Sequence, residues 1–308
     1  MSDGHTLKNV FHGPLRPWFE LVRLPAIFTA PSDVLLGIAI VLSLGQSISI
    51  ATVVFSILAS VFIYSAGMAM NDLMDRKIDA IERPSRPLPS GRVTLRGCLL
   101  FVVSLDGLGL LLAFLAGKAV FAATVCTVCA TILYNGWAKS NVLGPFVMGV
   151  CRYGNAMIGL SVSGVWFWMQ PLDAVTVPIG VGLYVASLTL VSRFEVGGES
   201  RHAARKVALV ALMLGALGVA VPLLLLVGQV SVTSVLALGP FIWISSTVLV
   251  AWRSPEDART RAVVMRALKG ISIANAVLAA MLGQWYWALG IVSLLVPAKF
   301  VGRSFYST

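Results

Sequence analysis

Asn71-Asp72-Leu73-Met74-Asp75-Arg76-Lys77-Ile78-Asp79, continuing through Arg83-Pro84-Ser85-Arg86-Pro87-Leu88-Pro89-Ser90-Gly91, is the stretch on which the chain turns. It sets three aspartates and several cations between two long apolar runs, Ile50–Met70 and Val93–Ala116. Asp72, Asp75 and Asp79 stand at i, i+3 and i+7, so a helix continuing from the first run presents all three on one face. Carboxylates lined up at the edge of an apolar layer need cations to balance them. Magnesium suits such a row, because it takes oxygen ligands and is commonly held by one or two carboxylates together with substrate phosphates. Arg76, Lys77, Arg83 and Arg86 are the nearby candidates for phosphate oxygens, and an arginine can bind such a group through two nitrogens. The plainer reading is a solvated loop whose acids pair with its own cations.

The surrounding chain is a membrane protein by composition. Of 308 residues, 58% are hydrophobic and 12% charged, against about 25% charged in a soluble domain; mean hydropathy is +0.89. Apolar runs long enough to span a bilayer recur throughout. After a polar lead-in over residues 1–23, with a short amphipathic surface helix around Trp18, Leu21 and Val22, they fall at about Leu24–Leu44, Ile50–Met70, Val93–Ala116, Val120–Tyr134, Leu143–Val165, Val175–Phe194, Val207–Val227, Val230–Trp252, Val263–Leu282 and Trp285–Phe300. Ten hydrophobic helices are expected, the ninth being the least apolar because of Arg266, Lys269 and Asn275. No secretory signal is expected, since the first twenty residues lack an apolar core and a cleavage site. The fold class is therefore an all-α polytopic bundle of nine or ten transmembrane helices around a central cavity with a cytoplasmic polar cap. Residues 24–303 form a single domain, with halves 24–142 and 143–303 as a possible internal repeat.

The net charge of +10 is a topology signal, and no nucleic-acid partner is expected. With the N-terminus cytoplasmic, every Lys and Arg except Lys118 falls on one side, as the positive-inside rule requires. The same side receives a second acidic segment, Glu195-Val-Gly-Gly-Glu199, four spans after the first. Its glutamates share a helical face at i and i+4, with Arg193, Arg201 and Arg205 around them. Alone the segment is weak; paired with the first it is a candidate second metal cluster.

Asn71-Asp72-x-x-Asp75-x-x-x-Asp79 followed by Arg86-Pro-Leu-Pro-Ser-Gly91 resembles the first signature of the UbiA-type intramembrane prenyltransferase superfamily. Tyr134-Asn-Gly-Trp-Ala-Lys139, with Gly144, Gly149 and Arg152, is similar to that family's connection between its fourth and fifth helices, and Glu20-Leu-Val-Arg23-Leu-Pro fits its first helix start. The resemblance implies magnesium-dependent transfer of a prenyl group from a prenyl diphosphate to a lipophilic or aromatic acceptor within the bilayer. Asn71, Asp72, Asp75 and Asp79 inherit a metal-binding role, joined by Glu195 and Glu199. Arg23, Arg86, Lys139, Arg152 and Arg193 become diphosphate contacts, and Tyr134 lines the reacting centre. The glutamates depart from the family's usual aspartates, and Ser140 stands where many members carry arginine. An intramembrane terpene synthase on the same scaffold is the alternative, and a lipid-handling transporter a more distant one. A CDP-alcohol phosphotransferase is disfavoured because Arg76 follows Asp75 where that pattern needs glycine.

Several residues remain to be placed. Asp33 and Asp106 lie inside expected spans, where acids are costly and usually face a cavity or a partner. Asp33 is a candidate for the acceptor pocket or for structural hydrogen bonding, and Asp106 for helix packing. Trp137, Tyr153, Trp166 and Trp168 are candidates to face a carbocation. Cys126 and Cys129 form a CxxC inside a span and read as packing residues. His5, His12 and His202 show no ligand spacing. The expected location is the cytoplasmic membrane of a prokaryote.

Overall fold

The computed structural model describes residues 13–194, 202–227, 232–253 and 257–305. Among them every regular element is helical. The helices are α1 (Arg16–Leu21), α2 (Leu24–Ile27), α3 (Thr29–Ser43), α4 (Ile50–Glu82), α5 (Leu95–Ala116), α6 (Lys118–Gly136), α7 (Gly144–Leu160), α8 (Leu172–Thr176), α9 (Ile179–Ser192), α10 (His202–Gly218), α11 (Val221–Val227), α12 (Gly239–Arg253), α13 (Asp257–Met281), α14 (Trp285–Ser293) and α15 (Leu295–Phe305).

Eight segments among the described residues are long and apolar enough to cross a membrane: 24–43, 50–82, 95–116, 118–136, 172–192, 235–253, 258–281 and 285–302. The expected fifth and seventh spans are represented by α7 and α10, each of 17 residues. Proline shapes several of the breaks. Pro25 and Pro31 lie in the first turns of α2 and α3, and Arg23, with φ of 49°, bends the chain between the surface helix and the span. Pro222 sits at the start of α11, where the seventh expected span divides, and Pro297 does the same for α15 in the tenth. Proline lacks an N–H, so it is tolerated in a first turn and not beyond it.

Helix α4 is the exception in length. Its 33 residues rise about 50 Å at ~1.5 Å each, well beyond the ~30 Å hydrocarbon layer. The surplus carries Asn71 through Glu82 out of the apolar zone without a break, so the acidic row is built on a rigid helix.

Around it, α3 packs on α4, α7 and α13, and α7 packs on α6 and α9. Helices α3 and α7 touch backbone to backbone. A Cβ on Gly37 would run into Ala156 O and Leu160 N, and one on Gly159 into Val34 O. Only glycine permits that approach, a common device where helices meet without water to expel. The ninth expected helix, α13, is among the most enclosed: it contacts α3, α9, α12 and α14, with Ile271, Ala274, Asn275 and Leu278 buried. Its lower hydropathy reflects polar groups used inside the bundle. Gly109 of α5 packs against Ala59 and Ile63 of α4, which leaves Asp106 half-buried beside a helix contact as expected. The four cysteines are free thiols, and Cys126 and Cys129 are exposed on the surface of α6.

Candidate active site

The row on α4 is real as a side-chain constellation. Asn71, Asp72 and Asp79 are buried and Asp75 half-buried, whereas Met74, Arg76, Lys77 and Ile78 on the intervening positions are exposed. Three cations converge on the row from three other segments. Arg86, on the loop after α4, donates through one nitrogen to both Asp72 Oδ1 (3.1 Å) and Asp79 Oδ2 (2.7 Å). Arg23, at the bend before α2, reaches Asp72 Oδ1 at 3.5 Å. Lys139, in a 3-10 turn over Ala138–Ser140, donates to Asn71 Oδ1 at 2.8 Å and to Asp75 Oδ2. Asn71 in turn donates to Asp75 Oδ2 (3.2 Å). Of the four cations that follow Asp75, Arg86 alone is brought onto the acids; Arg76 and Lys77 point away.

Lys139 is held by its surroundings in two opposing ways. Burial pulls its ammonium below the usual lysine range, while the hydrogen bond and charge of Asp75 push back. Arg193, at the end of α9, does not enter the row. Its guanidinium donates to the carbonyls of Lys139 (3.2 Å) and Asn141, and so braces the turn that aims Lys139. Tyr134 is buried in the last turn of α6.

Arg152, expected among the diphosphate contacts, lies away from the row. It is buried in α7, donating to Asp33 Oδ2 (2.9 Å) and Thr29 Oγ1 (2.7 Å), with its guanidinium 5.4 Å from the Tyr64 ring. Tyr64 lies eight residues before Asp72 on α4, about 12 Å along the axis. Arg152 is therefore a partner of Asp33, deeper in the bundle. Asp33 also accepts from Asn155 (3.0 Å) and Asn275 (2.8 Å), the structural hydrogen bonding expected as one of its two roles. The aromatic candidates separate likewise. Trp166 and Trp168 stack on each other at 4.9 Å in the loop beyond α7, at the opposite end of that helix from the Lys139 turn. Trp137 is exposed, and Tyr153 donates its hydroxyl to Val175 O. Among the described residues, none of these four makes a polar or ring contact with the row. Glu195 and Glu199 lie outside the described residues.

The donor set fits magnesium. Every group on the row is a hard oxygen, from carboxylates and one amide. Among the described residues no three acidic, histidine or cysteine side chains converge on a single point. The row therefore offers a metal one or two carboxylates at a time, the usual arrangement when phosphate oxygens complete a magnesium shell.

The sequence model of the UbiA prenyltransferase family matches residues 34–273, most of the chain. The chain belongs to the UbiA prenyltransferase family. Among its relatives, a digeranylgeranylglyceryl phosphate synthase from Metallosphaera sedula is 29% identical over 268 residues, spanning 79% of this chain and 88% of the relative. One of that description from Methanothrix thermoacetophila is 36% identical over 115 residues, 37% of this chain and 42% of the relative; in the shorter matches the chain spans 42% to 59% of the relatives' length. A UbiA homologue from Archaeoglobus fulgidus bound to DMAPP and Mg2+ shares the fold with a TM-score of 0.63 at 14% identity, over 90% of this chain and 99% of that one.

Arg92 and Asn155 escaped the sequence reading, which quoted Glu20 only within a helix-start pattern and gave it no role. Asn275 left a trace there, as a polar residue in an otherwise apolar helix.

Proposed function

We propose that this UbiA-family protein transfers a prenyl group from a prenyl diphosphate to a lipophilic acceptor in the membrane, with magnesium as its metal. The observation that carries the reading is the balanced row: Asp72, Asp75 and Asp79 face Arg23, Arg86 and Lys139. Because the cations are already matched by carboxylates, an arriving diphosphate brings uncompensated negative charge, and a metal must come with it. Asn71, Asp72, Asp75 and Asp79 would hold magnesium, which when bound would neutralise the diphosphate and ease its departure. Arg86 and Lys139 exchange part of their carboxylate contacts for diphosphate oxygens and stabilise the leaving group as charge develops on it. Arg193 keeps Lys139 aimed. The allylic C–O bond breaks with its electron pair leaving on diphosphate, and an acceptor nucleophile takes the carbon and gives up its proton. The apolar faces of α3, α4 and α7 keep water from that centre.

The relatives described as digeranylgeranylglyceryl phosphate synthases favour a lipid-like acceptor over a small aromatic one. Glu195 and Glu199 supply the second acidic cluster in this reading, so that each half of the chain brings one cluster. The row faces the cytoplasm, on the count of cations by side, and the archaeal source of the relatives supports a prokaryotic membrane. The test is incubation with prenyl diphosphates of graded length, with and without acceptor lipids, followed by mass analysis. Products joining the two are expected. Products formed from the diphosphate alone would mark a cyclase, and none at all would sink the reading.

A Glu195→Gln, Glu199→Gln double variant should weaken magnesium-dependent binding of inorganic diphosphate by about tenfold or more, since each lost charge-assisted contact is worth ~1–3 kcal/mol. Unchanged binding would leave that segment as a surface loop.

A further inference from the structure

Asp72 is approached by two arginines from two different pieces of chain, Arg23 after α1 and Arg86 on the loop after α4. Neither sits in the middle of a long helix, so something else must fix where their guanidinium groups stand. The Arg86 loop is folded by its own backbone: Ser90 N donates to Arg86 O (3.0 Å) and Val93 N to Pro87 O (3.1 Å), with Gly91 taking a φ of 73°. Ser90 Oγ adds a 2.6 Å bond to Arg86 O. Arg92 then gathers the loop from outside. Its guanidinium donates to Ser85 O at 2.5 Å and to Ser90 Oγ at 3.1 Å, on either side of Arg86 in sequence. Its remaining nitrogen pairs with Glu20 Oε2 at 2.8 Å. Glu20 is the last acidic residue of α1, three positions before Arg23, and its other oxygen accepts from Arg16 Nε at 2.9 Å. Trp18 of the same helix packs edge-on against Phe101 of α5 at 4.9 Å, which anchors α1 to the bundle.

We propose that Glu20 and Arg92 are positioning residues: their ion pair ties the segment bearing Arg23 to the loop bearing Arg86 and so sets the two guanidinium groups over Asp72. This rests on the diphosphate-binding role proposed above. The pair is partly exposed, with side-chain accessibility of 21% for Glu20 and 38% for Arg92. Exposed pairs contribute little to global stability, so the clasp acts on the geometry of the loop and leaves the fold standing. Its effect belongs on diphosphate affinity, because Arg23 and Arg86 bind the substrate before any bond breaks.

The whole chain in detergent, as wild type, Glu20→Gln, Arg92→Ala, Arg92→Lys and the Glu20→Gln, Arg92→Ala double variant, separates these roles. Hydrogen exchange at residues 83–94 should accelerate in Glu20→Gln and Arg92→Ala while the melting temperature stays put. KM for the prenyl diphosphate should rise about three- to tenfold with kcat within about twofold, the pattern of lost ground-state and transition-state binding alike. Arg92→Lys, which keeps the charge opposite Glu20, should recover part of the KM. The double variant should be no worse than Arg92→Ala, because both substitutions cut the same tie. Unchanged exchange, an unchanged KM, or a KM rise that merely tracks a falling melting temperature would each overturn the proposal. A wild-type protein inert toward prenyl diphosphates would instead defeat the proposed function; the clasp is then decided by the exchange data together with affinity for inorganic diphosphate and magnesium.

Discussion

Asp72→Asn should abolish magnesium-dependent release of diphosphate from a prenyl diphosphate, a loss of at least about 10³-fold, because the charge that stabilises a departing anion is usually the largest single contribution to such a reaction. The substitution keeps the side chain's shape and removes its charge. In the structure Asp72 Oδ1 is shared by Arg23 and Arg86, and the carboxylate is buried. The row then holds one carboxylate fewer than it holds cations. Two effects follow with opposite sign. Metal binding weakens, since a ligand charge is gone, and the two arginines, relieved of a partner, attract diphosphate more strongly without metal. The variant should therefore bind inorganic diphosphate in the absence of magnesium at least as well as wild type and still fail to turn over. Titration calorimetry with and without magnesium, beside a diphosphate-release assay, reads both. Retained turnover would remove Asp72 from the metal site. Loss of both binding and turnover, with a lowered melting temperature, would mean that the row is a structural ion-pair network.

The row could be read from the sequence because its information is local. Three acids at helical spacing directly after an apolar run need only helix continuity to share a face, and α4 supplies it by running on unbroken past Met70. The order of the helices was equally legible from hydropathy. What pairs with each charge was not. Arg152 and Arg193 looked equivalent to Arg23 and Arg86 in a count of cations near the polar side, yet one is buried beside Asp33 and another braces a turn. That choice depends on which helices pack together, here the glycine contact of Gly37 and Gly159 that sets α3 against α7. Arg92 was hidden for a similar reason. Its partner Glu20 lies 72 positions away, on a six-residue helix whose placement depends on Trp18 and Phe101 meeting.

Arg152→Leu should destabilise the protein by about 3–5 kcal/mol, the cost of leaving a buried charge without its partner. Asp33 is 1% exposed and accepts from three donors on two other helices, Arg152 and Asn155 of α7 and Asn275 of α13; Asn275 also donates to Ser32 Oγ at 3.0 Å. Asn155 accepts from Ser60 of α4 (2.7 Å). Three helices thus meet at one carboxylate, with α4 joined to it through Asn155, and in a bilayer no water is at hand to replace a missing donor. Removing the guanidinium leaves Asp33 with amide donors only. Removing the carboxylate instead, as Asp33→Leu, strands Arg152 against Thr29 and the face of Tyr64. Each single variant should melt well below wild type in detergent. The Asp33→Leu, Arg152→Leu double variant should melt above either one, because two apolar side chains replace two charges and nothing ionic is left unpaired. That non-additivity distinguishes a structural pair from a substrate contact. Were Arg152 a diphosphate ligand, its leucine variant would keep its melting temperature and lose substrate affinity, and adding Asp33→Leu would not restore that affinity.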